Sequence, residues 1–127
     1  MKNILIVDDD PAIQLLFEQF LKAKGFNPWV AGDGLDALLS MKEQVPDLII
    51  TDIVMDGMDG LALIREVRNE HPDMPIIAIS GGRRAMSIDF ELSAAKYGAN
   101  EFLEKPVLLD DLFRSIQSLL KKSPAED

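Results

Sequence analysis

Short runs of consecutive apolar residues recur along the chain, and each ends abruptly in a polar residue. Ile4–Val7 runs into Asp8, Leu48–Ile50 into Thr51 and Asp52, and Pro75–Ile79 into Ser80. Runs of this length without polar alternation, bounded by turn residues, predict strands buried on both faces. Pro28–Ala31 is a shorter run whose proline places it near a sheet edge, and Glu101–Glu104 is a last strand ending at Lys105-Pro106.

Between these runs the apolar residues fall at helical spacing. Ile13, Leu16, Phe17, Phe20 and Leu21 form one stripe, Leu35, Leu38 and Leu39 a second, and Leu63, Ile64 and Val67 a third. The final stripe is Leu108, Leu112, Phe113, Ile116 and Leu119. Each predicts an amphipathic helix with that stripe inward. Asp10 followed by Pro11 reads as an N-cap with proline at the first helical position, and Gly25 as the stop. Asp33 and Asp59 are candidate caps for the second and third helices, the third ending near His71-Pro72. Ser87 is a candidate cap for a helix expected to run through Tyr97 and stop at Gly98, and Lys121-Lys122 suits the negative end of the last helix.

Strand and helix thus alternate five times, which predicts an α/β fold: a five-stranded parallel sheet, doubly wound, with helices on both faces. The flavodoxin-like strand order 2-1-3-4-5 is the expected one, with a switch point between the first and third strands. No internal repeat, low-complexity tract or interdomain linker interrupts the pattern. Residues 1–122 are expected to form one domain and 123–127 a frayed tail, with no separate output domain.

Composition narrows the function. The 127 residues carry a formal charge of -9, which disfavours nucleic acid and anionic membrane as partners. With no cysteine, a disulfide framework, a thiolate metal site and a thiol nucleophile are excluded. The amino-terminal run is too short for a signal peptide or a membrane span, so a cytoplasmic protein is expected.

The chemistry gathers at strand ends. In the expected order, the switch point brings Asp8 and Asp9 beside Asp52, with Ser80 and Lys105 at neighbouring strand ends. Carboxylates crowded in this way repel one another unless a cation lies among them. Mg²⁺ (or Mn²⁺) meets that need, since it takes carboxylate oxygens and bridges to phosphate. Asp52 could then attack a phosphoryl group, with Lys105 and Ser80 holding its charged oxygens. Each residue also has a plainer reading. Asp8, Asp9 and Asp10 could form a capping turn, Ser80 a turn, Lys105 a solvated strand end and Phe102 core packing. His71 reads as solvated surface, Trp29 and Tyr97 as packing residues.

The ordered set Val7-Asp8-Asp9, Asp52 with Met58-Asp59-Gly60, Ser80 and Lys105-Pro106 resembles the receiver domain of two-component response regulators, over nearly the whole chain. The resemblance implies a phospho-switch rather than a turnover enzyme. Asp52 would accept a phosphoryl group from a sensor histidine kinase, a histidine phosphotransfer protein or a small phosphodonor. Asp9 would contact Mg²⁺ directly, Asp8 mainly through water, and the Val54 backbone carbonyl would complete the protein ligands. Ser80 and Phe102 would move together on phosphorylation and remodel the surface of the fourth helix, fifth strand and fifth helix. That surface would regulate a protein target, with the chain a monomer or a phosphorylation-dependent dimer. The Lys105–Pro106 bond is expected to be cis.

Three features depart from the family pattern: Asp56 where proline is usual, Phe102 where tyrosine is frequent, and a long Gly81-Gly82-Arg83-Arg84 loop. Val54 and Gly82 offer no side chain to orient a water, which predicts a long-lived phosphorylated form. The Arg83-Arg84 pair is a candidate for recruiting an acidic partner or anionic donor. Three other functions remain to be weighed. A haloacid-dehalogenase-type phosphohydrolase would use the Asp8/Asp10 spacing. A flavodoxin-like cofactor binder would need a phosphate loop where the three acids stand. A receiver-like docking module would accept no phosphate.

Overall fold

A computed structural model describes residues 1–53, 60–80 and 98–121. Its strands are β1 (Asn3–Val7), β2 (Asn27–Ala31), β3 (Leu48–Asp52), β4 (Ile76–Ser80) and β5 (Glu101–Glu104). They form one parallel sheet in the order β2-β1-β3-β4-β5. Helices α1 (Pro11–Ala23), α2 (Gly34–Glu43), α3 (Gly60–Glu70) and a C-terminal helix (Leu109–Lys121) accompany it.

Side chains alternate across each strand, so a continuous apolar run supplies two cores. Ile4, Ile6, Leu48, Ile50, Ile77 and Ile79 pack with Phe17 and Leu21 of α1 and with Leu112, Ile116 and Leu119 of the C-terminal helix. On the other face Leu5, Val7, Ile49, Ile76 and Ala78 pack with Ala37 and Met41 of α2 and with Leu63, Ile64 and Val67 of α3. Full burial of each such aliphatic side chain is worth about 1.5–3 kcal/mol. The central strands are thereby packed on both faces, and their carboxyl ends are held where the polar residues begin.

The helix ends follow their capping chemistry. Asp10 accepts the Ala12 N–H and Asp33 the Asp36 N–H, each at 2.9 Å. Gly25 leaves α1 at φ +89, a conformation that favours glycine. At the opposite end of the strands from the acids, Arg68 of α3 ties several segments together. Its guanidinium donates to the carbonyls of Gly98 (2.6 Å), Pro72 (2.5 Å) and His71 (3.3 Å) and to Asn100 Oδ1 (3.1 Å). Burial pushes the Arg68 pKa down, partly offset by the charge of Asp73.

Some helix stripes differ from the periodic reading. In α2, Leu35 and Leu39 are 55% and 52% exposed, while Ala37 and Met41 face the sheet. Leu16 is 45% exposed in α1, and Leu108 is 65% exposed one residue before the C-terminal helix begins. The cause is geometric: Ala37 and Met41, four residues apart, share the helix face that meets the core, and Leu35 and Leu39 fall on another side of the helix. His71 is half-buried, with its carbonyl bonded to Arg68. The Asp59 and Ser87 caps, the helix through Tyr97, Asp56, the Gly81–Met86 loop and the 123–127 tail lie outside the described residues.

Candidate functional site

Two adjacent strands, β1 and β3, deliver the three acids. Asp8 follows β1, and Asp52 ends β3, whose Thr51 pairs with Val7. Asp8 is 2% exposed and Asp52 5%, whereas Asp9 is exposed. One carboxylate oxygen from each of the three lies within 4.8 Å of the others. Lys105, just past β5, reaches across from the far strand to place Nζ 3.1 Å from Asp52 Oδ2 and 3.3 Å from Asp8 Oδ2.

The electrostatics of this group are one-sided. Three carboxylates face one ammonium, leaving two formal negative charges, the charge of one divalent cation. Burial pulls the Lys105 pKa down, the largest single effect. The charges of Asp52 and Asp8 and the hydrogen bonds to them together outweigh it, holding the ammonium above its ordinary value of 10.5. Hard carboxylate oxygens, two buried and one open to solvent, are the donor set that Mg²⁺ and Mn²⁺ favour. The residues present therefore fit such an ion, and Asp8, Asp9 and Asp52 could hold it.

Local structure fixes each acid. Asp8 has a partner for all four of its polar groups: its N–H donates to Ala31 O (3.2 Å), Oδ1 accepts the Asp10 N–H (2.9 Å), Oδ2 accepts from Lys105, and its carbonyl accepts from Gln14 Nε2 (2.5 Å). The Thr51 hydroxyl donates to the Asp52 carbonyl at 2.9 Å. Gly60 opens α3 directly against this strand end, its N–H donating to Ile53 O at 2.9 Å. A Cβ on Gly60 would stand 2.1 Å from the Asp52 carbonyl oxygen.

Ser80 ends β4, buried, in register with Glu104, and its carbonyl accepts the Lys105 N–H at 2.9 Å. The ends of β4 and β5 are thereby joined beside the acids. The Lys105–Pro106 peptide bond is cis. Phe102 lies in β5 opposite Ala78, partly buried against the core beneath α2 and α3. Val54, Gly82 and the Arg83-Arg84 pair lie outside the described residues.

Asp10 does not join the cluster. It is exposed and occupied with capping α1, which leaves the Asp8/Asp10 phosphohydrolase reading without its second acid. Gln14, Thr51 and Gly60 were not assigned a role from sequence. Gly60 sits within a quoted motif, but only its contact with the Asp52 carbonyl supplies the reason for it. A glutamine in an amphipathic helix and a threonine in a strand carry no signal of their own.

The comparisons agree with this geometry. The family model described as "Response regulator receiver domain" matches residues 4–117. Response regulator MprA of Mycobacterium avium (strain 104) is 31% identical over 125 residues, covering 98% of this chain and 54% of that protein. This chain therefore spans about half the length of the curated relatives it matches. A CheY-like response regulator receiver domain protein from Methanospirillum hungatei JF-1 superposes with a TM-score of 0.91 at 28% identity, covering 100% of this chain and 99% of the other. The receiver domain of NtrX from Brucella abortus gives 0.87 at 35% identity, covering 94% and 99%. Among the described residues no helix is long and apolar enough to cross a membrane. The chain belongs to the response regulator receiver domain family of two-component signalling.

Proposed function

We propose that Asp52 is the phospho-accepting residue of a two-component switch and that its donor is a phosphohistidine on a sensor histidine kinase or a histidine phosphotransfer protein. A carboxylate oxygen of Asp52 attacks phosphorus, the bond from phosphorus to the donor imidazole nitrogen breaks, and an acyl phosphate forms on Asp52. The imidazole leaves with the electron pair and takes a proton from water. The observation that carries this reading is the clustering of Asp8, Asp9 and Asp52 beside the Lys105 ammonium.

The residues divide the work by position. Asp52 is buried at the end of a central strand, which fixes its direction of attack. Lys105 offsets one charge of the Asp8–Asp52 carboxylate pair before transfer and would hold the charged phosphoryl oxygens after it. Ser80, joined to Lys105 through the backbone, stands at the next strand end to donate a hydroxyl hydrogen bond to the same group. Asp9, exposed, and Asp8, buried, would hold Mg²⁺ or Mn²⁺ together with Asp52 and the Val54 carbonyl. When bound, such an ion screens carboxylates and phosphoryl oxygens from one another. The signal would leave through Ser80 and Phe102 towards a protein target, in a cytoplasmic monomer or phosphorylation-dependent dimer.

Acetyl phosphate with Mg²⁺ tests the reading by intact mass. The wild-type protein should gain one phosphoryl group, and the Asp52→Asn variant none. Equal gain by both would refute it, and so would steady turnover of the donor without any gain in mass.

A further inference from the structure

We infer that Gln14 is a positioning residue for the cation cluster, acting through the main chain of Asp8; the inference rests on the functional reading above. Gln14 lies in the second turn of α1, half-buried, and its side-chain amide reaches back over the helix start to donate to the Asp8 carbonyl at 2.5 Å. Its own N–H donates to Asp10 O at 3.0 Å. The same turn is braced from within, since Asp10 N–H donates to Asp8 Oδ1 and Ala12 N–H to Asp10 Oδ1. Gln14 thus adds, to a local capping turn, a contact spanning six residues that pins the turn to the body of α1.

The turn needs that contact because of what it presents. Asp8 and Asp9 come from consecutive residues and share a space of 4.8 Å with Asp52. Mutual repulsion among the three favours a turn that swings outward. The Asp8 carbonyl lies one residue beyond Val7, the last that the β1 ladder pairs, where the chain leaves the sheet. A side-chain donor there supplies the partner that strand pairing no longer provides. Held in this way, the turn meets a cation with its oxygens already placed, and the ordering cost is met in folding rather than in binding. Groups that orient metal ligands from behind typically change affinity by at least about 10-fold when removed.

The test uses Gln14→Met, which keeps length and loses the donor, and Gln14→Asn, which keeps the amide but falls short of the carbonyl. Gln19→Met, at an exposed position on the same helix, is the control. Mg²⁺ affinity by calorimetry should fall about 10-fold in both Gln14 variants and stay unchanged in the control. In metal-free protein, exchange of the Asp10 amide hydrogen should quicken in the Gln14 variants alone. Phosphorylation by acetyl phosphate should recover once Mg²⁺ is raised to saturate the weakened site. Unaltered Mg²⁺ affinity in Gln14→Met overturns the inference, whatever the exchange rate. Failure of the functional reading appears instead in the wild-type protein, as absent Mg²⁺ binding or absent phosphorylation. Absent Mg²⁺ binding there removes the inference as well.

Discussion

The Lys105 ammonium stands 3.1 Å from Asp52, a residue more than fifty positions earlier in the chain, and bridges the buried carboxylates of Asp52 and Asp8. It serves as counter-ion in this structure and stands where a phosphoryl oxygen would need one. Replacing it with methionine should lower metal-free stability by about 1 kcal/mol, since partial exposure of the ammonium screens the interaction. Its pKa lies above the ordinary 10.5, so its contribution is complete below that value and fades as pH climbs through the higher folded one. Denaturant melts of wild type and Lys105→Met should therefore differ by a constant amount from neutral pH up to about 10 and converge above it.

A divalent cation bound by the folded protein alone should stabilise it by mass action. Thermal melts should rise with Mg²⁺, reaching about 2.7 kcal/mol of added stability at a hundred times the dissociation constant. In Asp9→Asn, which alters an exposed residue and should fold normally, most of that gain should vanish. A Mg²⁺ response in Asp9→Asn equal to wild type would remove Asp9 from the proposed ligands.

Gly60 has no room for a side chain. A methyl group there would meet the Asp52 carbonyl oxygen at 2.1 Å and Ile53 Cα at 2.7 Å, both main-chain atoms that can yield only by moving the strand end. Gly60→Ala should cost about 1–3 kcal/mol in urea melts and slow phosphorylation of Asp52 more than its stability loss explains. A fully folded Gly60→Ala protein phosphorylated at the wild-type rate would show that the strand end tolerates displacement.

Far from the acids, Arg68 holds the end of α3 to Gly98 and Asn100, and Asn100 Oδ1 also accepts the Ile76 N–H at 2.8 Å. Arg68→Met should cost about 1–3 kcal/mol, because several carbonyls lose their donor together. Its effect on Mg²⁺ affinity should be small, as it lies at the other end of the strands from the acids. Calorimetric titration beside a urea melt separates the two.

Much of this architecture can be read from the amino-acid sequence because its central strands are continuous apolar runs. Ile4–Val7, Leu48–Ile50 and Ile76–Ile79 are buried on both faces, so no choice of face had to be made. The acids at their ends were legible for the same reason: a carboxylate directly after a buried run has its position set by the strand. Helix faces were less so. In α2 the leucines predicted inward, Leu35 and Leu39, lie in solvent, and the inward residues are Ala37 and Met41. A stripe of large apolar residues says that a helix is amphipathic, but which of its apolar residues meet the sheet depends on how the helix is rotated against it. Gln14, Thr51 and Gly60 were illegible for another reason. Their effect falls on main-chain carbonyls, whose partners depend on how a strand end and a helix start meet in space.

The most direct test of the central claim is to locate the phosphoryl group itself. Borohydride reduces an aspartyl phosphate to homoserine, so protein treated with acetyl phosphate and Mg²⁺, reduced and digested, reports the acceptor by peptide mass. The account predicts homoserine at position 52 and at no other aspartate, dependent on Mg²⁺. Homoserine at position 8, 9 or 10, or none in fully folded, metal-loaded protein, would contradict it.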